Sequence, residues 1–276
     1  MTTHHSRLDL RPLRRACLAA GVWMLATVGG LHAQAQDLPP VEPAVATDSA
    51  PSPWERQIGL GYGLYRESAM SLRGPELLLG LRWKPSPTQR YALEWSAAQQ
   101  HYDSDDTGAK SDVPYYEGRL QGLYRLGDGP AWLRDPELGW LVHYGYNDLR
   151  GRTTTQHIGY ERVSWQLWLP LRWRASAWFT EPSTALELEI GWLLYGQQTS
   201  RLSQVSAVYT DARNQQRHGV YLQVRGPRWG GSSAAQWEPS LRITRIEDSD
   251  KVRVSTSKYA LEPANLFIHL GLARVW

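Results

Sequence analysis

The residues best equipped for chemistry gather in short polar runs. Asp103, Asp105 and Asp106 follow His101 in "HYDSDD", while His157 and His218 each precede an apolar stretch. A carboxylate and an imidazole that share one water can activate it for hydrolysis, provided both lie within hydrogen-bond reach. Ser203, Ser255 or Ser257 with His218 would be the raw material for acyl hydrolysis or transfer. That chemistry also needs a third group to orient the imidazole, and no spacing here supplies one. The oxygen-rich "DSDD" and "EDSD" (Glu247 to Asp250) lack the glycine-containing loop that makes a calcium site specific. Each run reads more simply as a hydrated loop. The expectation is no catalytic residue, no metal and no other cofactor, with Asp105, Asp106 and His218 as the candidates if the outer rim is catalytic.

The elements that would carry these residues have a period of two. Ile58, Leu60, Tyr62 and Leu64 alternate with glycines, then Leu77, Leu79, Leu81 and Trp83 with Leu78, Gly80 and Arg82, then Tyr91, Leu93 and Trp95 with Ala92 and Glu94. The alternation continues through 116–126, 138–146, 163–173, 186–194, 220–224, 237–243 and 266–272, which makes about ten strands, with eight or twelve inside the slippage of strand ends. Trp168 and Pro170 interrupt the polar face of the sixth. Connectors alternate too. "KPSPT", "GDGPAWLRDPE", "RASAWFTEPS" and "GPRWGGSSAA" are dense in Pro and Gly. "ESAMSLRGP", "DSDDTGAKSD", "NDLRGRTTTQ", "QTSRLSQVSAVYTDARNQQR" and "EDSDKVRVSTSKYALEP" are polar and often longer. The expected fold is an all-β, antiparallel up-and-down transmembrane barrel with short periplasmic turns and longer outer loops.

Composition and the amino terminus agree with export to a membrane. Trp and Tyr number 14 each against 2 Phe, an excess of rings with a polar handle that suits an apolar-to-wet boundary. Arg7, Arg11, Arg14 and Arg15 precede the apolar "ACLAAGVWMLATVGGL" and then Ala33-Gln34-Ala35, the order of a signal peptide cut after Ala35. Cys17, the only cysteine, falls inside that segment, so the mature chain would have no thiol. Residues 36–53, rich in Pro, Ala and acid, read as an extended periplasmic linker, and 54–276 as the barrel.

If the apolar face of each strand meets lipid, the other must fill the lumen. Arg82, Arg119, Arg125, Arg172, Arg225 and Arg242 share that face with Glu76, Glu94, Glu117, Glu187, Glu189 and Glu238. An Arg facing lipid near the midplane would cost about 2–4 kcal/mol, whereas in a narrow lumen it can pair with a carboxylate. Ten strands enclose limited width, so a tight or plugged lumen is expected. His143, mid-strand on this face, reads as a hydrogen-bonded interior residue. The basic residues alternate along strands with Glu, a pattern that points away from nucleic acid.

The closing strand "HLGLARVW" resembles the carboxyl-terminal assembly signal of bacterial outer-membrane β-barrel proteins, with polar His269, Gly271 and terminal aromatic Trp276. Arg274 departs from the apolar residue usual at its position. The resemblance implies that this strand is read by the barrel assembly machinery and pairs with the first strand, with periplasmic chaperones, outer-membrane lipid and lipopolysaccharide as partners. "WEPSLRITRIEDSD" with "YALEPANLFIHLGLARVW" looks like the last hairpin of small porin-like outer-membrane proteins. Omptin-type outer-membrane proteases are also ten-stranded and set paired acids opposite a His and Asp across the barrel mouth. The functional expectation is a membrane scaffold presenting outer loops, the alternatives being a porin-like passage for small solutes and an omptin-like or lipid-A-modifying hydrolase at the rim. Fold alone does not choose among them.

Overall fold

The computed structural model describes residues 52–127, 129, 133–175, 186–230 and 235–276. The expected signal peptide, the linker up to residue 51 and parts of three periplasmic connectors lie outside the described residues. Strands β1 (Trp54–Arg66), β2 (Met70–Ser86), β3 (Gln89–Ser104), β4 (Lys110–Arg125), β5 (Arg134–Arg152), β6 (Ile158–Ala175) and β7 (Leu186–Ser200) form an antiparallel meander. It continues through β8 (Ala212–Gln216), β9 (Gly219–Arg225), β10 (Gln236–Ile246) and β13 (Asn265–Val275). Both β8 and β9 pair with β7, β8 along its outer half and β9 along its inner half, so together they make one rung. β13 pairs with β1 from Gln57↔Val275 to Arg66↔Leu266, which closes a ten-strand barrel. A small hairpin, β11 (Val252–Arg253) with β12 (Tyr259–Ala260), sits within the last outer loop.

Closure requires the first and last strands to approach closely. A side chain at Gly59 would place its Cβ 2.6 Å from the Ala273 Cα, so glycine is the residue that fits the seam. Gly63 instead leaves room for the Glu76 carboxylate in the lumen.

The ring is apolar outward. Leu60, Leu93, Leu120, Leu222 and Leu270 are all exposed, Leu60 at 71%. Contiguous apolar surface on this scale is a liability in water but satisfied in hydrocarbon. Aromatic girdles flank it. At the periplasmic end Trp54, Trp83, Tyr91 and Tyr124 run side by side with ring centroids 5.4, 5.5 and 6.3 Å apart. Towards the outer end Trp95, Tyr116 and Tyr146 do the same at 6.1 Å per step. Such belts hold a barrel at the depth where rings meet headgroups.

Strands run further outward than the sequence suggests. Most of "ESAMSLRGP", "DSDDTGAKSD" and "NDLRGRTTTQ" is paired ladder, leaving only 67–69, 105–109 and 153–157 as tips, and β8 lies within the expected 198–217 loop. The reason is an inversion of pattern. In this outer extension Met70, Leu72, Val113 and Leu149 are buried inside, backed by Tyr65 and Tyr102, while Arg73, Asp103, Asp112 and Arg150 face out. Outside hydrocarbon the ordinary rule applies, apolar in and polar out, and polar outward residues there look like loop. A second departure is a bulge in β7, where Leu167 pairs with Tyr195 but Trp168 pairs with Leu193. Leu194 and Tyr195 both end up outside, and the inward set switches from Glu187, Glu189 and Leu193 to Gln198 and Ser200.

Candidate functional site

Strand parity delivers Arg and Glu to the same level of the lumen from opposite walls. Arg82 of β2 makes a two-pronged contact with Glu238 of β10 at 2.6 and 3.1 Å. Arg225 of β9 donates to Glu94 at 2.5 Å and Glu187 at 3.0 Å, and Arg119 of β4 to Glu94 and Gln223, both at 3.0 Å. Arg172 of β6 donates through Nε to Glu189 at 2.7 Å and through its terminal nitrogen to Gln121 at 2.7 Å; Glu189 also accepts from Tyr221 at 2.7 Å. Further outward Arg242 donates to Glu117 at 2.5 Å, and His269 stands between Glu76 at 2.9 Å and Glu117 at 3.2 Å. Arg125 shares the inward parity but stands at the periplasmic rim, 2.6 Å from Asp135.

Removing so many charges from water is costly, and the attraction gained in a dry interior repays it only with good geometry. The network is therefore a way of filling and sealing the section more than a source of stability. Paired side chains cross the lumen at several heights, and the space left is small: a cavity of about 80 Å³ beside Glu76, Arg82, Ser96 and His269, and one of about 70 Å³ above it beside His143, Arg162 and Gln198. Arg119 and Arg242 border both and separate them.

Two groups on the inward face escaped sequence reasoning. One is the apolar cluster of Leu141, Trp168, Leu193, Tyr221 and Ile246, where Trp168 and Tyr221 meet edge to face at 5.2 Å. Its signals were the alternation itself, which turns Leu141 and Tyr221 inward, and the interruption at Trp168; that these residues gather into one cluster was not foreseen. The other closes the outer mouth. Arg162 donates to Glu67 at 2.7 Å and lies 3.9 Å from Glu262, which accepts from Ser200 at 2.5 Å. Extending the alternation of β1 and β6 a few residues outward would have found Glu67 and Arg162. Glu262 comes from the 247–264 loop, which is stitched to the barrel by Asn214 donating to the Asp250 and Ala260 carbonyls. Above it Lys258 donates to the Tyr209 hydroxyl at 2.8 Å, a bond that holds the ammonium pKa above its ordinary value.

The chemistry candidates do not meet. Asp105 and Asp106 sit at the β3–β4 tip, beside the β5–β6 tip, where Thr155 donates to the Thr107 carbonyl. His218 lies between β8 and β9, half the ring away, with its carbonyl accepting from the Glu247 amide. His157 bonds Thr155, and Ser203 bonds Asp211 instead of a His. No group of three or more His, Cys, Asp or Glu among the described residues is arranged to hold a metal ion.

The three assembly-signal positions have separate places. His269 is inward in the charge network, Gly271 lets Ser240 and Leu78 approach, and Trp276 is half exposed at the periplasmic rim. There Trp276 exchanges two backbone hydrogen bonds with Arg56, at 2.9 and 3.1 Å.

A closed ten-strand antiparallel ring, apolar where lipid meets it and charged within, defines this chain as an outer-membrane β-barrel protein. Its sequence matches no family model and no curated protein. Among solved structures it is similar to the outer membrane protease OmpT from Escherichia coli (10% identity, TM-score 0.44, covering 83% of this chain and 99% of that one). It is also similar to Neisserial surface protein A (10%, 0.36, 81% and 96%) and to the COG4313 outer membrane channel from Pseudomonas putida F1 (10%, 0.42, 86% and 100%). These are likenesses of fold and nothing finer.

Proposed function

We propose that this protein is a non-conducting scaffold of the bacterial outer membrane, exported with a signal peptide cut after Ala35, that holds a rigid β-structured surface above the membrane. The observation that carries this reading is the lumen, crossed by Arg82–Glu238, Arg225–Glu94, Arg172–Glu189 and Arg242–Glu117 and capped by Glu67, Arg162 and Glu262. The separation of Asp106 from His218 weighs against the rim hydrolase. Outer-leaflet lipopolysaccharide would meet the exposed Arg66, Arg73 and Arg245 just above the apolar belt, and the assembly machinery would read the β13 end.

Single-channel recording of the refolded mature chain in a planar bilayer tests the proposal, after a heat-modifiability gel has shown a folded barrel. Silence is expected, with openings only when Arg119 and Arg242 are both replaced by Ala. Steady openings of the unaltered chain would overturn the scaffold in favour of a porin-like passage.

A further inference from the structure

Two arginines without a counter-charge stand on the lipid-facing wall of the closing seam. Arg56 of β1 and Arg274 of β13 are both exposed and of outward parity, and neither has a carboxylate within ion-pair distance among the described residues. Arg82, Arg119, Arg172, Arg225 and Arg242, which face inward, each have one. Register makes the two outward arginines neighbours. Arg56 lies opposite Trp276, with which it exchanges both backbone hydrogen bonds, and Arg274 lies opposite Ile58, so the pair is diagonal across β1 and β13. Diagonal positions are roughly 7–8 Å apart, within reach of two long side chains. Arg274 is also the position at which the closing strand departs from the apolar residue of the assembly signal, a departure that assembly leaves unexplained.

The surroundings are graded as a phospholipid is. Ile58, Leu60 and Leu272 line the wall towards hydrocarbon, Trp237 flanks Arg274 on β10, and Trp54 and Trp276 stand at the water side. Aromatic belts mark headgroup depth, which sets both guanidiniums at the level of the phosphate. An open recess of about 520 Å³ lies over Trp54, Arg56, Leu81 and Trp276. A cavity of roughly 150 Å³ holds benzene, so this one has room for a phosphate with its glycerol. A phosphodiester offers two free oxygens, which suit the planar fork of a guanidinium. A zwitterionic headgroup would bring an ammonium as well, and no free acid awaits it: Glu55 and Glu238, on the inward face, are committed to Lys84, Arg228 and Arg82. Two positive charges facing one headgroup therefore favour a lipid of net negative charge. Because this is the periplasmic end of the barrel, the lipid is a phospholipid and not lipopolysaccharide.

We propose that Arg56 and Arg274 form a site at the barrel seam for the phosphate of an anionic phospholipid of the phosphatidylglycerol class. The site rests on the outer-membrane barrel and goes beyond the scaffold reading.

Photo-crosslinking of the refolded mature chain in phosphatidylcholine vesicles tests it. The probe is phosphatidylglycerol with a diazirine near the head of one acyl chain, compared with phosphatidylcholine bearing the same group, and labelled peptides are mapped by mass spectrometry. Label at 54–58 and 272–276 should be at least tenfold heavier from phosphatidylglycerol, while peptides around Leu138 and Trp173, at the same end of β5 and β6, should show no preference. Arg274→Leu should lower the preference about fivefold, the worth of one arginine facing an anionic headgroup, and Arg56→Gln combined with Arg274→Leu should bring it to parity. If the double variant fails the heat-modifiability gel, Arg274→Leu alone decides, since it sets an apolar residue on a lipid-facing position. Equal labelling by the two lipids, an even spread around the girdle, or a preference unchanged in the folded variants would each overturn the site. Absence of lipid label at the seam would overturn it in favour of the acidic segment 36–53, with Asp37, Glu42 and Asp48, as the partner of the arginines. Bilayer recording is independent of this readout, so the two proposals fail separately.

Discussion

Arg172→Met isolates what the lumen network contributes. The guanidinium contacts Glu189 at 2.6 and 2.7 Å, Gln121 at 2.7 Å and Glu187 at 3.3 Å, and Arg172 is 2% exposed. Losing one partner of a buried pair costs about 3–5 kcal/mol, because the other charge stays buried. Glu189 would keep the Tyr221 hydroxyl at 2.7 Å and the Gln121 amide at 3.0 Å, with Arg119 no nearer than 3.9 Å. That residual support places the expected loss at the low end, about 3 kcal/mol. Combining Arg172→Met with Glu189→Gln removes both charges while preserving those two hydrogen bonds, and should recover most of the loss, leaving less than about 1.5 kcal/mol. Reversible urea unfolding in lipid vesicles, read by tryptophan emission and by gel mobility, measures both variants. A single-variant loss below about 1 kcal/mol, the range of exposed ion pairs, would mean that water fills the lumen and screens the network, and the sealed-section argument would fall.

Three further expectations concern the wall. Leu270→Arg, lipid-facing and 54% exposed between Tyr62 and Leu241, should cost about 2–4 kcal/mol in the same vesicles, whereas Val208→Arg in the outer loop should stay within about 0.5 kcal/mol. Gly59→Leu forces a side chain against the Ala273 backbone and should destabilise by about 1–3 kcal/mol, visible as incomplete closure on a heat-modifiability gel. Deleting Trp276 removes two backbone hydrogen bonds to Arg56, worth about 0.5–1.5 kcal/mol each. Its effect on assembly in cells should exceed its effect on refolding in vitro, and equal effects would reduce the terminal ring to an ordinary contact.

Period-two alternation carried the architecture because a one-residue slip would turn a whole strand inside out, so each lipid-facing run fixes its own register. The inward charges followed for the same reason: once Leu93 and Trp95 face lipid, Glu94 has only the lumen. What the alternation hid is apolar residues facing in. Strand parity turns Leu141 and Tyr221 inward, yet by type alone they and Leu193 could join the lipid-facing set, and the β7 bulge that helps arrange them is marked only by Gly196 beside Tyr195. The outer ends were misjudged by polarity, since Arg73 and Asp103 look like loop residues although their backbones pair across β2 and β3. The upper cavity is no more visible in the chain, because His143, Asn147, Arg162 and Gln198 come from three neighbouring strands and meet through cross-strand register, Asn147 opposite Arg162 and Gln198 opposite Ser164.

The paired outer extension also decides how the protein meets its surroundings. A protease needs several consecutive unpaired residues to thread its cleft, and loop tips are where nicking concentrates. The tips at 67–69, 105–109 and 153–157 are short turns tied by backbone bonds such as Gly108 to Ser104 and Thr154 to Ala109, while 201–211 and 247–264 are long enough to be cut. Digestion from outside would shear the latter pair and spare the rest. By the same logic an antibody raised against the intact surface would read a folded shape built from neighbouring hairpins, and would lose its target when the chain is boiled.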